Sequence, residues 1–268
     1  MAILARRLTL ADMGFTSGHL SVLRFVVGAA LCLPLFWIRP ALMRPTNLPA
    51  LLTRGISGGI VVALYFYALA HIPAGRAGLL YNVFPVLAVV FSLVLLRERP
   101  RWHLFLAVLV ASLGVLLVLG QGDFRVALGR GEMAAFAAAF FAATSANAIR
   151  KARSTDSSWT IFFFFCVAGL PVVLPFALTP LPGGLLPWAL AVLMSLLAFA
   201  GQILMADAYG ALAVSEAAGW LQLMPIVQYA LGVLLLGEHL SAWGLAGAAL
   251  TVSGVAYGTV FGRRGKDT

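Results

Sequence analysis

Charge is scarce in this chain. It carries 9 acidic and 18 basic residues, so charged residues make up 10% of the sequence against 62% hydrophobic, with a mean hydropathy of +1.00. A soluble domain carries about 25% charged residues, and here the deficit runs the whole length. That excludes a water-soluble globular fold. The net charge of +9 would suit a polyanion, but the Lys and Arg residues sit in short loops between apolar runs and form no basic face. Nucleic acid is excluded as a partner. Cysteine is equally rare. Cys32 and Cys166 both lie inside apolar runs and read as small packing residues, which excludes a disulfide framework. The four histidines, His19, His71, His103 and His239, fall at the ends of apolar runs without metal-ligand spacing, so no metal is expected. There is no P-loop and no dinucleotide fingerprint, and no cofactor is expected. Gly55-Ile56-Ser57-Gly58-Gly59 spells G-x-S-x-G. That motif needs a strand before it, a helix after it, and a nearby His and acid. Here it opens an apolar run, and no enzyme activity is expected. Met1 to Leu8 places its charge after its apolar residues, the reverse of a cleavable signal peptide.

What the chain has in plenty is long apolar runs. A membrane span needs about 20 mostly apolar residues. Nine runs qualify: 20–37, 55–70, 77–96, 103–119, 133–150, 160–178, 187–209, 213–236 and 243–261. Short loops make neighbouring spans antiparallel. Cytoplasmic loops carry an excess of Lys and Arg. With the C-terminal tail in the cytoplasm, that side receives Arg263, Arg264 and Lys266, together with the loops holding Arg39, Arg44 and Arg54; Arg97, Arg99 and Arg101; and Arg150, Lys151 and Arg153. The other side receives only Arg6, Arg7, Arg76, Arg125 and Arg130. The expected location is therefore the cytoplasmic (inner) membrane, multi-pass, with the C-terminus cytoplasmic.

The sequence also repeats itself. Residues 79–119 align without a gap on residues 219–259, 140 residues later. Pro85 falls on Pro225, Leu95 and Leu96 on Leu235 and Leu236, Glu98 on Glu238, and Gly114 on Gly254. The topology puts the Glu98 loop inside and the Glu238 loop outside, so the two copies are inverted. Inverted copies of one membrane unit mark a secondary transporter. The second half has five spans and the first has four. Ala2-Ile3-Leu4-Ala5-Arg6-Arg7 resembles Ala146-Asn147-Ala148-Ile149-Arg150-Lys151, the end of the second half's first helix. Met1–Leu8 is accordingly read as the last turns of a first helix that is largely missing.

Polar residues inside spans are costly and mark sites. Pro85 and Pro225 sit mid-span, where each removes a backbone donor and kinks its helix. Tyr81 and Asn82 precede Pro85 by about a turn. Leu221 and Gln222 hold the equivalent places before Pro225, with Trp220 adjacent and Gln228 a turn later. This band is the expected place of substrate contact, joined by Tyr65, Asn147 and Gln202 at similar depth. The competing reading for each is a helix–helix hydrogen bond. Arg24 lies within a span, as an anchor or as an anion ligand. Asp207 and Glu216 are read as interfacial acids, with proton coupling the alternative, and Glu98 and Glu238 as helix-starting elbows. The small-residue series Gly254, Gly258 and Gly262, the pair Gly55 and Gly59, and Ala135, Ala139 and Ala143 are read as packing faces within one chain.

The run "P…LLLGE.L…..G..L…G", present from Pro225 to Gly254, its counterpart from Pro85 to Gly114, and Leu23-Arg24-Phe25 together resemble the EamA branch of the drug/metabolite transporter superfamily. The resemblance implies an all-α fold of ten helices in two inverted repeats of five, both termini cytoplasmic, with a central cavity. This chain departs in its short first helix and in Ala107, which stands where the second copy has Gly247 and should change the packing there. The expected domains are a first repeat over 1–122, a second over 131–262, and a tail over 263–268. The expected function is a permease or exporter of small metabolites, such as amino acids or related amphipathic compounds, working by alternating access. A proton is a possible coupling ion, membrane lipid surrounds the chain, and it is a monomer or homodimer. The alternatives are a lipid-carrier flippase of the same fold and a non-transporting membrane partner subunit.

Overall fold

The computed structural model describes residues 4, 8, 13–72, 74–97, 102–120, 129–236 and 241–263. All regular structure among them is helical. The helices are α1 (Ser17–Cys32), α2 (Leu48–His71), α3 (Ala74–Tyr81), α4 (Phe84–Phe91), α5 (Trp102–Gly120), α6 (Arg130–Ala152), α7 (Ser158–Val173), α8 (Leu185–Ala211), α9 (Val214–Leu221), α10 (Leu223–Leu236) and α11 (Ala242–Arg263). Seven candidate membrane spans occur among the described residues. Glu98, Glu238 and most of the stretch 1–8 lie outside them. Leu4 and Leu8 are described as helical, and they pack with Phe15, Leu20, Ala191 and Met194.

Two compact units form. One comprises residues 1–66 and 144–211, the other residues 67–143 and 212–268. Each takes helices from both ends of the sequence, and each has the same internal logic. In the first unit α1 packs on α7. A Cβ on Gly28 would meet Cys166 Sγ at 2.9 Å, and one on Gly169 would meet the Phe25 ring at 3.2 Å. Gly28 and Gly169 are 141 residues apart, and so are Phe25 and Cys166. One contact is therefore the other with the repeats exchanged. As the partner number on α7 rises, that on α1 falls, so the helices run antiparallel. Their N-caps obey the same offset: the side chains of Thr16 and Ser157 each accept a backbone N–H three residues on, from His19 and Thr160.

In the second unit α5 packs on α11 by the same rule. A Cβ on Gly114 would meet the Gly247 carbonyl oxygen at 2.5 Å, and a Cβ on Gly254 would meet the Ala107 carbonyl oxygen at 3.0 Å. Adding 140 to the first pair gives the second, again exchanged and antiparallel. The repeats are inverted, as their sequence implied. The approach at Gly254 is looser by half an ångström, because Ala107 carries a methyl group where its counterpart Gly247 carries none. In membranes this close approach of backbones does what hydrophobic burial does in water, since lipid is as apolar as any side chain. Gly55 and Gly59 of α2 likewise fit against the backbone of α7 at Phe164 and Gly169. These glycine faces are spent within the chain.

One sequence boundary is corrected. Arg54 is not a loop residue, and Arg24 is not alone inside a span. Helix α2 begins seven residues before Gly55, because Asn47 caps it by accepting the Ala50 N–H at 3.3 Å and Pro49 fits its first turn. That start is clamped from across the unit. Asp156, buried, accepts the Thr46 N–H at 2.6 Å and the Asn47 N–H at 3.0 Å. Asp156→Ala strands both donors, and is expected to cost about 1–3 kcal/mol, read as a fall in the thermal unfolding midpoint in detergent. Asp207→Asn is the contrast. Asp207 pairs with Arg153 at 3.4 Å and accepts from Ser158, but its side chain is 54% exposed, so about 1 kcal/mol or less is expected.

Candidate functional site

Both proline-bearing spans are broken. Helix α3 ends at Tyr81 and α4 starts at Phe84, one residue before Pro85; α9 ends at Leu221 and α10 starts at Leu223, two before Pro225. The cause is chemical. Proline has no N–H to offer the carbonyl four residues back and its ring crowds that carbonyl. For Pro85 that carbonyl belongs to Tyr81, and for Pro225 to Leu221. The Asn82 N–H still reaches the Gly78 oxygen at 2.9 Å, and the Gln222 N–H bonds the Gly219 oxygen at 3.1 Å. Each break therefore presents a carboxamide side chain just before the second half-helix. Irregular backbone at membrane depth is tolerated only within protein or along a cavity.

The two carboxamides are buried, Asn82 at 5% exposure and Gln222 at 1%. Gln222 Nε2 donates to Ser112 Oγ of α5 at 2.5 Å, while its Oε1 has no partner. Exchanging the repeats maps this pair onto Asn82 and Val252. Valine offers no hydrogen bond, and Asn82 Nδ2 is unpartnered. The repeats have diverged so that one donor and one acceptor stand unsatisfied in the same unit. A buried polar group without a partner costs about 1–3 kcal/mol, and such groups in native structures call for an explanation.

The other sequence-derived candidates divide between the units. In the second, Tyr81 packs its ring on Phe84 at 5.2 Å, and Trp220 is half exposed. Pro85 is buried and Pro225 half-buried. The Gln228 side chain lies outside the described residues. In the first unit, Gln202 Oε1 accepts from Arg54 Nη2 at 2.6 Å, and Ser145 Oγ accepts from Nη1 at 2.5 Å. The guanidinium lies 4.0 Å from the centroid of the Phe165 ring. Arg24 lies 5.8 Å from the same ring's centroid. Tyr65 is eleven residues beyond Arg54 on α2, three turns on and nearly the same face. Asn147 is buried on α6, but two residues from Ser145, so it points to another face. Arg54, Ser145 and Phe165 were not singled out in the sequence. Asn47-Leu48-Pro49, a cap followed by a first-turn proline, was the signal that Arg54 belongs inside the helix.

Ser57, the serine of the G-x-S-x-G match, lies within α2 and donates to the Thr53 carbonyl of its own helix. No group of three His, Cys, Asp or Glu residues able to hold a metal occurs among the described residues.

Inverted repeats, seven candidate spans and paired broken helices define a multi-pass membrane transporter. Residues 3–120 and 129–259 both match the EamA-like transporter family, and the chain belongs to that family. It is 28% identical over 165 residues to the pseudopaline exporter CntI of Pseudomonas aeruginosa, in strains UCBPP-PA14 and PAO1. That match spans 61% of this chain and 58% of the relative. A crystal structure of a protein at 23% identity has the same fold, with a TM-score of 0.81 over 97% of this chain and 95% of that one.

Proposed function

We propose that this protein exports small metabolites, such as amino acids or related amphipathic compounds, across the cytoplasmic membrane by alternating access. The observation that carries the reading is the pair of broken helices, each preceded by a buried carboxamide with an unsatisfied atom: Asn82 Nδ2 on one, Gln222 Oε1 on the other. Together they offer a donor and an acceptor at span depth, as an amphipathic solute with both kinds of group requires. Broken half-helices in corresponding positions of two repeats are where transporters of inverted topology hold substrate. The inversion supplies the two-sidedness, because each repeat takes the other's conformation when the pathway switches sides. The exporter relative supports the direction. Tyr65, Tyr81, Asn147, Gln202 and Gln228 belong to the same proposal as polar side chains at span depth. Proton coupling is left to experiment, since Asp207 is engaged by Ser158 and Arg153.

The test is transport by Asn82→Ala and Gln222→Ala in cells or proteoliposomes. Each variant is expected to lower efflux about tenfold or more at unchanged membrane abundance, since a lost hydrogen bond to a buried partner is worth about 1–3 kcal/mol. Wild-type rates in both would end the assignment. A thermal-stability screen against amino acids, amines, nucleosides and sugars identifies the solute, because a ligand at about 100 times its dissociation constant adds about 2.7 kcal/mol.

A further inference from the structure

The second unit contains a cavity of about 160 Å³ that the proline band does not use. Its walls come from α5 (Leu104, Ala107, Val108), α9 and α11 (Val255, Gly258). Helix α9 supplies its chemistry, through Ser215, Glu216, Gly219 and Trp220. We propose that this cavity binds a primary ammonium group carried on an apolar stem.

Three observations point to a ligand. First, Glu216 brings a half-buried carboxylate into an otherwise apolar recess, and no hydrogen bond or ion pair engages it among the described residues. Second, Ser215 is 2% exposed and its Oγ has no hydrogen-bond partner. A buried hydroxyl with nothing to bond is costly, and here it lines the same recess as the carboxylate. Third, Gly219 faces open space: a Cβ there would meet no atom within 4 Å. A helix wall has been left unfilled where any larger residue would have fitted. The Thr259 hydroxyl is not available, since it bonds the Ala256 carbonyl at 2.8 Å.

The donor set selects the ligand class. A carboxylate and a hydroxyl both accept from N–H, and the carboxylate repels anions. Trp220 stands four residues after Glu216, on the same helical face, and an indole face attracts a cation. Leu104, Val108 and Val255 give an alkyl stem an apolar wall. The volume holds about five water-sized groups, enough for an ammonium and a few methylenes. Two sources carry this chemistry, an aminophospholipid headgroup and a free alkylamine. The site lies outside the proposed transport pathway's carboxamides, so Asn82→Ala and Gln222→Ala leave its binding intact whatever they do to transport.

The test uses the purified full chain and n-hexylammonium, with n-hexanol and hexanoate as controls of equal stem, read by thermal shift and calorimetric titration. Hexylammonium is expected to bind and raise the unfolding midpoint, and the controls to bind at least tenfold more weakly. Glu216→Gln is expected to lower the ammonium affinity about tenfold or more, the loss of one charge-assisted contact. Gly219→Leu fills the recess without a clash, and is expected to abolish binding while leaving the unfolding midpoint unchanged. Equal binding of hexanol, full affinity in Glu216→Gln, or retained binding in Gly219→Leu overturns the proposal. Repeating the titration in nanodiscs of phosphatidylethanolamine and of phosphatidylglycerol separates the sources. Competition by phosphatidylethanolamine assigns the site to the lipid headgroup, and equal affinity in both assigns it to a soluble amine.

Discussion

Gly114→Leu is expected to leave little or no folded protein. The α5–α11 crossing has no side chain between its backbones at this point. The Cβ alone would lie 2.5 Å from both the Gly247 carbonyl oxygen and the Thr251 backbone nitrogen. Neither atom can rotate away, because both belong to the helical ladder of α11. Relief requires the helices to separate, and separation also strips the Thr251 hydroxyl of its 3.3 Å contact with the Ala111 carbonyl. Overpacking a well-packed core costs about 1–3 kcal/mol where side chains can adjust, and the cost here should exceed the upper end. Gly201→Ala is the control. It sits inside α8 with nothing within 4 Å of a Cβ, and removing backbone freedom there should add roughly 0.5–1 kcal/mol. Size-exclusion profiles and unfolding midpoints in detergent check both. A monodisperse, wild-type-like Gly114→Leu would disprove the close crossing.

The second large effect is expected at Arg54. Its guanidinium is 6% exposed, donates to Ser145 and Gln202, and lies over Phe165. Hydrogen bonds to a charged group are worth about 1.5–3 kcal/mol each, and a desolvated cation–π contact about 2. Against this stands the cost of holding a charge out of water, which its removal relieves. The net expectation for Arg54→Ala is a loss of about 3 kcal/mol. Arg54→Lys should fall between, because an ammonium is a point donor and cannot fork to two acceptors while stacking flat. Gln202→Leu should recover little on the Arg54→Ala background, since the two act as a pair, and a double-mutant cycle reads that coupling directly. An Arg54→Ala protein that melts at the wild-type temperature would show that the cluster contributes nothing to the fold. Gly58 adds a further check: a Cβ there would meet the Phe165 ring at 2.5 Å and Arg54 Nη1 at 2.9 Å, so Gly58→Ala should weaken the same cluster.

Much of the fold was legible from residue order alone. Pro85 and Pro225 announced the helix breaks, because a missing N–H acts within four residues of its own position. Gly114 and Gly254 announced the close crossing, because an offset of 140 residues had to become a two-fold relation once both copies folded alike. Arg54 was misread for a local reason: its charge suggested a loop, and the cap at Asn47 was overlooked. The partner of Gln222 was not legible at all. Ser112 lies 110 residues away on another helix, and nothing in its neighbourhood distinguishes it from the serines that bond their own helix, as Ser195 does with Ala191 at 2.8 Å.

By itself the sequence determined the solvent, the repeat and its inversion, and the places where helices stop. Each follows from composition or from forces that act within a turn or two of the chain. The tertiary structure alone decided which buried polar atoms are satisfied. It left Asn82 Nδ2 and Gln222 Oε1 without partners, closed Arg54 onto Gln202, and opened a recess beside Gly219. The reason is geometric. A hydrogen bond between helices is made or lost over less than an ångström, and that distance is set by the register and crossing of two helices together, which neither sequence segment encodes alone.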